Sequence, residues 1–343
     1  MSGGGGAKTK KAPSKHQRTK RIILITALVF ALLGGGGAMA AGLYLRSLES
    51  GIARVDAFNE VPEESRPEKV ADGAMNILLL GSDTRDPSSE SGSRTDTIIL
   101  AHLTGDKSSA QLVSIPRDTW VHVPASKDGR RGNKEAKINA SFAWGGIPLM
   151  VQTVESFTGV RVDHVAVIDF AGFKDIVDAL DGVKVDVEKS FTTAYSLSPS
   201  GKRTFTKGLQ TLDGAAALDY ARERHAFADG DLARIRHQQD VIKGILDKAA
   251  SGGLLTNPAK LNSFVKASSD TVKVDDTLSL TDMAMSLRHL RSSNLTFMTS
   301  PTEGTGTRGT ESVVLANTEQ AKLLYDAMRR DSVPEILAAG VKK

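Results

Sequence analysis

Ile22 to Leu45 (IILITALVFALLGGGGAMAAGLYL) runs for 24 residues without a charged side chain, and this stretch constrains the chain more than any other. As a helix rising about 1.5 Å per residue, it is long enough to cross a hydrocarbon core of about 30 Å. Residues 1–21 hold Lys8, Lys10, Lys11, Lys15, Arg18, Lys20 and Arg21 and no acid. Basic residues beside a span stay on the cytoplasmic side, so the chain from Arg46 on is expected outside. Ala38-Met39-Ala40 before Ala41 also has the small-residue form of a signal-peptide cleavage site. The apolar run continues through Leu43-Tyr44-Leu45, which favours an uncleaved anchor. Either processing leaves the rest of the chain extracytoplasmic.

The formal charge of +4 is carried by that tail, so the chain from Arg46 on nets −3. A basic nucleic-acid-binding domain is not indicated, and no nucleic-acid partner is expected. The absence of cysteine excludes thiolate nucleophiles, thiolate metal sites and disulfide redox chemistry.

The chain divides into a cytoplasmic tail (1–21), an anchor (22–45), a polar stalk (46–74) and a folded domain (75–343). The stalk is marked by Pro62 and Pro67 and is expected to be partly helical near Arg46–Phe58. In the domain, NILLLG (76–81), TIILAHLT (97–104) and AQLVSI (110–115) are short apolar runs bounded by turn residues, the pattern of strands. The first is continuous enough for a central strand covered on both faces. The short turn at 105–109 argues for antiparallel neighbours. Helices are expected at 138–158, 173–180, 212–221, 231–250, 259–267, 280–292 and 318–329. Strands are expected at 164–170, 183–187, 295–300 and 312–315. Asp231 stands as an N-cap candidate. The order predicts a layered α/β/α domain with a central mixed sheet, preceded by one transmembrane helix.

If the first three strands form a meander, Asp83 and Asp96 reach one end of the sheet, and Arg117 is delivered there too, with Arg85, Arg94 and Asp118 close by. Paired carboxylates beside guanidinium groups suit a hard divalent cation and phosphate oxygens. Taken singly, each Asp is as well explained as a turn residue. Further on, Arg222 and Arg224 point the same way if the backbone is extended between them. Arg234 and Gln238 share a helix face with the aliphatic Val241 and Ile245, as a phosphate site opening onto an apolar pocket would. A solvated amphipathic helix reads equally well at that level.

GSDTR…RTDT, SIPRDT, KINASFAWGG and LDGAAALDYARERH…GDLARIRHQQDVI, in this order over 76–250, resemble the LytR-CpsA-Psr family of cell-wall assembly enzymes. The resemblance covers about half the chain and implies a phosphotransferase. Such an enzyme moves a glycopolymer from an undecaprenyl-diphosphate carrier to peptidoglycan at the outer membrane face. It implies Asp83 and Asp96 as ligands of Mg²⁺, with Mn²⁺ as the alternative. Arg85, Arg94, Arg117, Arg222, Arg224, Arg234 and Gln238 become the diphosphate-binding residues, and Val241, Ile242 and Ile245 the lipid pocket. His237 departs from the family, which often has Arg there, and is left out of the site. No Ser-His-Asp or Lys nucleophile pattern is evident, so direct attack by the acceptor hydroxyl is expected, with Asp96 or Asp118 taking the proton. The competing readings are a lipid-diphosphate pyrophosphatase and a non-catalytic polyprenyl-phosphate-binding protein.

Overall fold

The structure, a computed structural model, describes residues 53–82, 95–196, 201–251, 272–279, 283, 290 and 292–338. The anchor and the helices expected at 259–267 and 280–292 lie outside them, apart from 283 and 290. No helix among the described residues is long and apolar enough to cross a membrane.

In chain order the strands are β1 (Ala53–Val55), β2 (Met75–Ser82), β3 (Thr95–Leu103), β4 (Ala110–Ser114), β5 (Trp120–Val123), β6 (Lys134–Lys137), β7 (His164–Asp169) and β8 (Val183–Val187), then β9 (Phe191–Thr192), β10 (Thr204–Phe205), β11 (Gly208–Leu212), β12 (Val272–Asp275), β13 (Leu295–Thr299), β14 (Thr302–Arg308) and β15 (Glu311–Ala316). The helices are α1 (Ala140–Thr158), α2 (Phe170–Ala179), α3 (Gly214–Arg222), α4 (Asp231–Ser251), α5 (Thr318–Arg329) and α6 (Val333–Ala338). Seven strands make one sheet in the order β1-β12-β7-β2-β3-β4-β13. β2, β3 and β4 are successive antiparallel neighbours, while β2–β7, β4–β13 and β1–β12 pair in parallel, so the sheet is mixed as expected.

The sheet is apolar on both faces because its strands alternate two sets of aliphatic residues. Leu78, Leu80, Ile98, Leu100 and Val113 pack with Met150, Val154, Leu324 and Met328 of α1 and α5. A second cluster joins α2, α3, α4 and β8, with Val177, Tyr220 and Val241 fully buried. Side-chain caps set the helix starts: Asp169 accepts from Gly172 N at 2.8 Å, Asp213 from Ala216 N at 2.7 Å and Asn317 from Gln320 N at 3.0 Å. α3 sits so close to α2 that a Cβ on Gly214 would lie 2.4 Å from the Lys174 carbonyl oxygen.

Two expectations need correction. The segment 53–74 is not a free stalk: β1 adds an edge strand, Ala57 and Val61 enter the core, and Arg66 binds the buried Glu155 at 2.8 Å. Its Pro and Glu content concealed how few apolar contacts an edge needs. Asp231 is the first helical residue of α4, not its cap, and its carboxylate turns to Arg234 at 2.7 Å.

Candidate active site

The antiparallel pairing of β2 and β3, with Ser82 opposite Thr95, brings the loop between them to one sheet end. Asp96 is the second residue of β3. β4 returns to that end, and Ile115 N donates to Ile98 O at 2.8 Å before the chain delivers Arg117. Arg117 Nη1 donates a short hydrogen bond to the Asp96 carboxylate, and its Nε stands 3.8 Å from Asp118. Burial alone would lower the Arg117 pKa, but Asp96, Asp118 and Asp231 outweigh it and hold the group above its ordinary value. Asp83, Arg85 and Arg94 lie outside the described residues.

α3 ends at Arg222, and Glu223 is extended (φ −69, ψ 130), which sends Arg222 and Arg224 to the same cavity, as expected of an extended link. The turn is fixed from within. Glu223 is buried, and its carboxylate accepts from Ala194 N at 2.7 Å, His225 N at 2.6 Å and Ala226 N at 3.0 Å. A buried acid between two arginines was the missed signal for this positioning role. The Arg222 guanidinium lies 4.4 Å from the centroid of the Phe170 ring.

α4 docks on the sheet end through Gln239 Nε2, which donates to Ser114 Oγ and Met298 O, both at 3.1 Å. This places Arg234 and Gln238 in the cavity wall. Arg234 is only 4% exposed, and burial lowers its pKa against the pull of Asp231. Asp231 lies among Arg234, Arg117 and Arg224, with burial pushing its carboxyl upward. Its contact with Arg234 is ionic without hydrogen-bond alignment, so among the described residues both buried oxygens lack a donor, and Arg117 Nε and Arg234 Nε lack an acceptor. Buried donors of this kind are ordinarily satisfied, and an anion with several oxygens would satisfy them.

The cavity between the second face of the sheet and α2 and α4 measures about 580 Å³. Leu79, Ile99, Ile168, Phe173, Ile242 and Ile245 form apolar wall, and Asp96, Arg117, Arg222, Arg224, Arg234 and Gln238 also line it. The expected lipid residues thus divide. Ile242 and Ile245 face the cavity, whereas Val241 is 0% exposed and belongs to the core beside Tyr220. One helical step separates the two faces. Leu79, Ile168, Phe170 and Phe173 complete the wall and were not anticipated, since their strand and helix patterns read as core. His237, left out of the site, is buried between Phe191 (5.6 Å, stacked) and Tyr220 (4.3 Å). Asp118 lines a separate cavity next to the first.

The LytR_cpsA_psr family model matches residues 47–330. The chain is 30% identical to the cell wall biosynthesis protein LcpA of Corynebacterium glutamicum, over 95% of this chain and 70% of that one. It is 33% identical to the polyisoprenyl-teichoic acid–peptidoglycan teichoic acid transferase TagU of Enterococcus faecalis, over 79% and 82%. Among solved structures, TagT bound to LIIa-WTA superposes with a TM-score of 0.60 at 27% identity, covering 81% of this chain and 99% of that one. Bacillus subtilis TagV shares the fold, with a TM-score of 0.63 at 24% identity over 77% and 98%. With its fold, the order of its motifs and nearly its whole described length matched, this chain belongs to the LytR-CpsA-Psr family.

Proposed function

We propose that the protein transfers a teichoic-acid-like glycopolymer from an undecaprenyl-diphosphate carrier to a hydroxyl of peptidoglycan. One juxtaposition carries the reading: an apolar cavity of about 580 Å³ whose wall also holds four arginines and Gln238. Aliphatic wall suits a polyprenyl chain, and planar two-pronged donors suit the diphosphate. Relatives named as teichoic acid transferases support the substrate class. Ile22–Leu45 is the anchor in this reading, holding the domain outside the cytoplasm, where carrier and peptidoglycan meet. Residues 46–52 remain as its linker.

The acceptor oxygen attacks the glycan-bearing phosphorus while the bond from that phosphorus to the bridging oxygen breaks. Undecaprenyl phosphate leaves, and the hydroxyl proton passes to a carboxylate. Asp96 is committed to Arg117 by a short hydrogen bond, whereas Asp118 stands 3.8 Å from both Arg117 and Lys137. We assign the proton to Asp118. Arg117, Arg222, Arg224 and Arg234 hold the non-bridging oxygens and stabilise their charge in the transition state.

Among the described residues no three acidic or imidazole groups converge on one point. The donors on hand are carboxylates, those of Asp96 and the donor-free oxygens of Asp231, and oxygen donors fit Mg²⁺ or Mn²⁺. Asp96 and Asp83 would hold the ion, which would supply further neutralisation of the diphosphate.

The test combines the full-length protein, a synthetic polyprenyl-diphosphate saccharide, peptidoglycan fragments and Mg²⁺. A peptidoglycan-linked phosphosaccharide and polyprenyl phosphate are expected, with loss of turnover in chelator. Release of free saccharide phosphate at a rate indifferent to the acceptor would replace the transferase by a pyrophosphatase.

A further inference from the structure

A second cavity of about 630 Å³ adjoins the first, and Arg117 and Arg224 line both. Its chemistry is different. Its wall carries Trp120 and Trp144, the only two tryptophans in the chain, and both are half-buried. Trp120 stands on β5 directly across from Lys137 on β6. Trp144 ends the first turns of α1, where the helix breaks at Gly145 (φ −150, ψ 23) and Gly146 (φ 62, ψ −152). The second of these is a conformation open in practice to glycine alone. The break ends the helix at the indole instead of carrying it on past the cavity.

The cations of this wall are already engaged. Lys137 Nζ lies 3.4 Å from Glu311 and 3.8 Å from Asp118, and Lys134 Nζ lies 4.7 Å from the Trp144 ring centroid. Among the described residues a polyanion would find little free charge beyond the two shared arginines. What the wall offers is flat aromatic surface beside ammonium, carboxylate and amide groups of mixed polarity. Asn139 contributes the amide, and its side chain makes no cap bond to α1. That combination matches an uncharged, hydroxyl-rich ring, whose C–H faces lie on indole and whose hydroxyls donate to carboxylates and accept from ammonium groups.

We infer that this second cavity is a saccharide subsite, in which Trp120 and Trp144 seat a neutral sugar ring next to Arg117 and Arg224. The inference rests on the transferase reading for one point: those arginines mark the reacting phosphate, so a sugar seated here is one sugar from the chemistry. Such a ring comes from the glycan strand that accepts, or from the first sugars of the donor.

Because both tryptophans line this cavity, the tryptophan emission of the full-length protein, excited at the red edge where tyrosine does not absorb, reports on it. The protein is titrated with chitotetraose as a peptide-free glycan strand, with a polyprenyl-diphosphate disaccharide, and with sugar-free polyprenyl phosphate. Sugar-free lipid, its binding followed by native mass spectrometry, is expected to leave the emission unchanged. At least one saccharide is expected to change it saturably, with chitotetraose marking the acceptor and the lipid-linked disaccharide alone marking the donor. Lys134→Ala should weaken that response several-fold. In the transfer assay Trp144→Ala should raise KM for that same substrate 10-fold or more, with Trp144→Phe largely restoring it. No saturable response to either saccharide, while polyprenyl phosphate still binds, overturns the subsite and leaves the transferase reading standing. A saccharide response in a protein that binds no polyprenyl phosphate keeps the subsite and removes the transferase reading. Equal loss of kcat in both tryptophan variants with KM unchanged makes the rings structural and also overturns the inference.

Discussion

His237 gives a prediction whose size can be worked out. Its ring is 0% exposed, and among the described residues neither nitrogen makes an aligned hydrogen bond, although the Tyr220 and Glu223 backbones stand close enough to hold its pKa up in part. Burial lowers its pKa from 6.5 to about 4. Between those values the unfolded chain holds a proton that the fold refuses, so stability falls as pH falls. The gap of about two to three pH units between the two pKa values caps the loss at roughly 3 kcal/mol; by pH 5 it has reached about 2 kcal/mol. Asp240 runs the other way: burial raises its carboxyl to about 6, so its protonation below that value favours the fold. It also accepts from the Tyr220 hydroxyl at 3.3 Å, on the ring that packs against His237. The wild-type curve therefore mixes two opposed protons, and only a difference isolates one. In His237→Phe the imidazole proton is gone, while any repacking offset is common to all pH values. Guanidinium denaturation of wild type and variant at pH 7 and pH 5 is expected to show their stability gap shifting by about 2 kcal/mol toward the variant. An unchanged gap would refute the neutral, desolvated imidazole.

Arg117→Ala is expected to lose a factor of about 10²–10³ in transfer rate, and Arg117→Lys to recover only part, because an ammonium cannot replace the guanidinium fork on both Asp96 and phosphate. Turnover near wild type in Arg117→Ala would show the pair to be structural. Ile242→Glu puts a carboxylate in the apolar wall and should abolish retention of polyprenyl phosphate in native mass spectrometry with the fold kept, so unaltered retention counts against a lipid cavity. Gly146→Ala should lower the denaturation midpoint by the equivalent of about 1–3 kcal/mol; an unaffected midpoint would mean that α1 tolerates the strained turn. A reporter active only outside the membrane, fused after Lys343, should be active, and activity solely from a cytoplasmic reporter would remove the anchored topology.

The meander was legible because each strand is a compact apolar run closed by turn residues. β2, β3 and β4 fall within two residues of the expected bounds, and the convergence of Asp96 with Arg117 followed from their order alone. β1 and β12 were not legible. ARV and VKVD carry too little apolar character to announce a strand, and only their partners in the sheet make them one. The hairpins β5–β6 and β8–β11 bury single aliphatic residues between polar ones, a pattern read as loop in part. In the cavity wall, the placement of Arg234 and Gln238 was readable from helix spacing and that of Arg222 and Arg224 from an extended link, whereas assigning Val241 to the lipid failed on one helical step. The polar cavity was invisible, since Trp120 and Trp144 lie 24 positions apart in sequence and meet only through the β5–β6 hairpin and α1.

The space between the sheet and α2 and α4 also ties stability to supply. Leu79, Ile99 and Ile168 face about 580 Å³ that protein atoms do not fill, so their surfaces forgo the dispersion contacts a packed interior would give them. A polyprenyl chain that fills this space binds the native state and not the unfolded one. At one hundred times its Kd it adds about 2.7 kcal/mol to the folding free energy. If the proposed lipid occupies it, the abundance of free carrier would set how long the folded domain survives heat or proteolysis, and depletion of that carrier would shorten the lifetime of the enzyme that releases it.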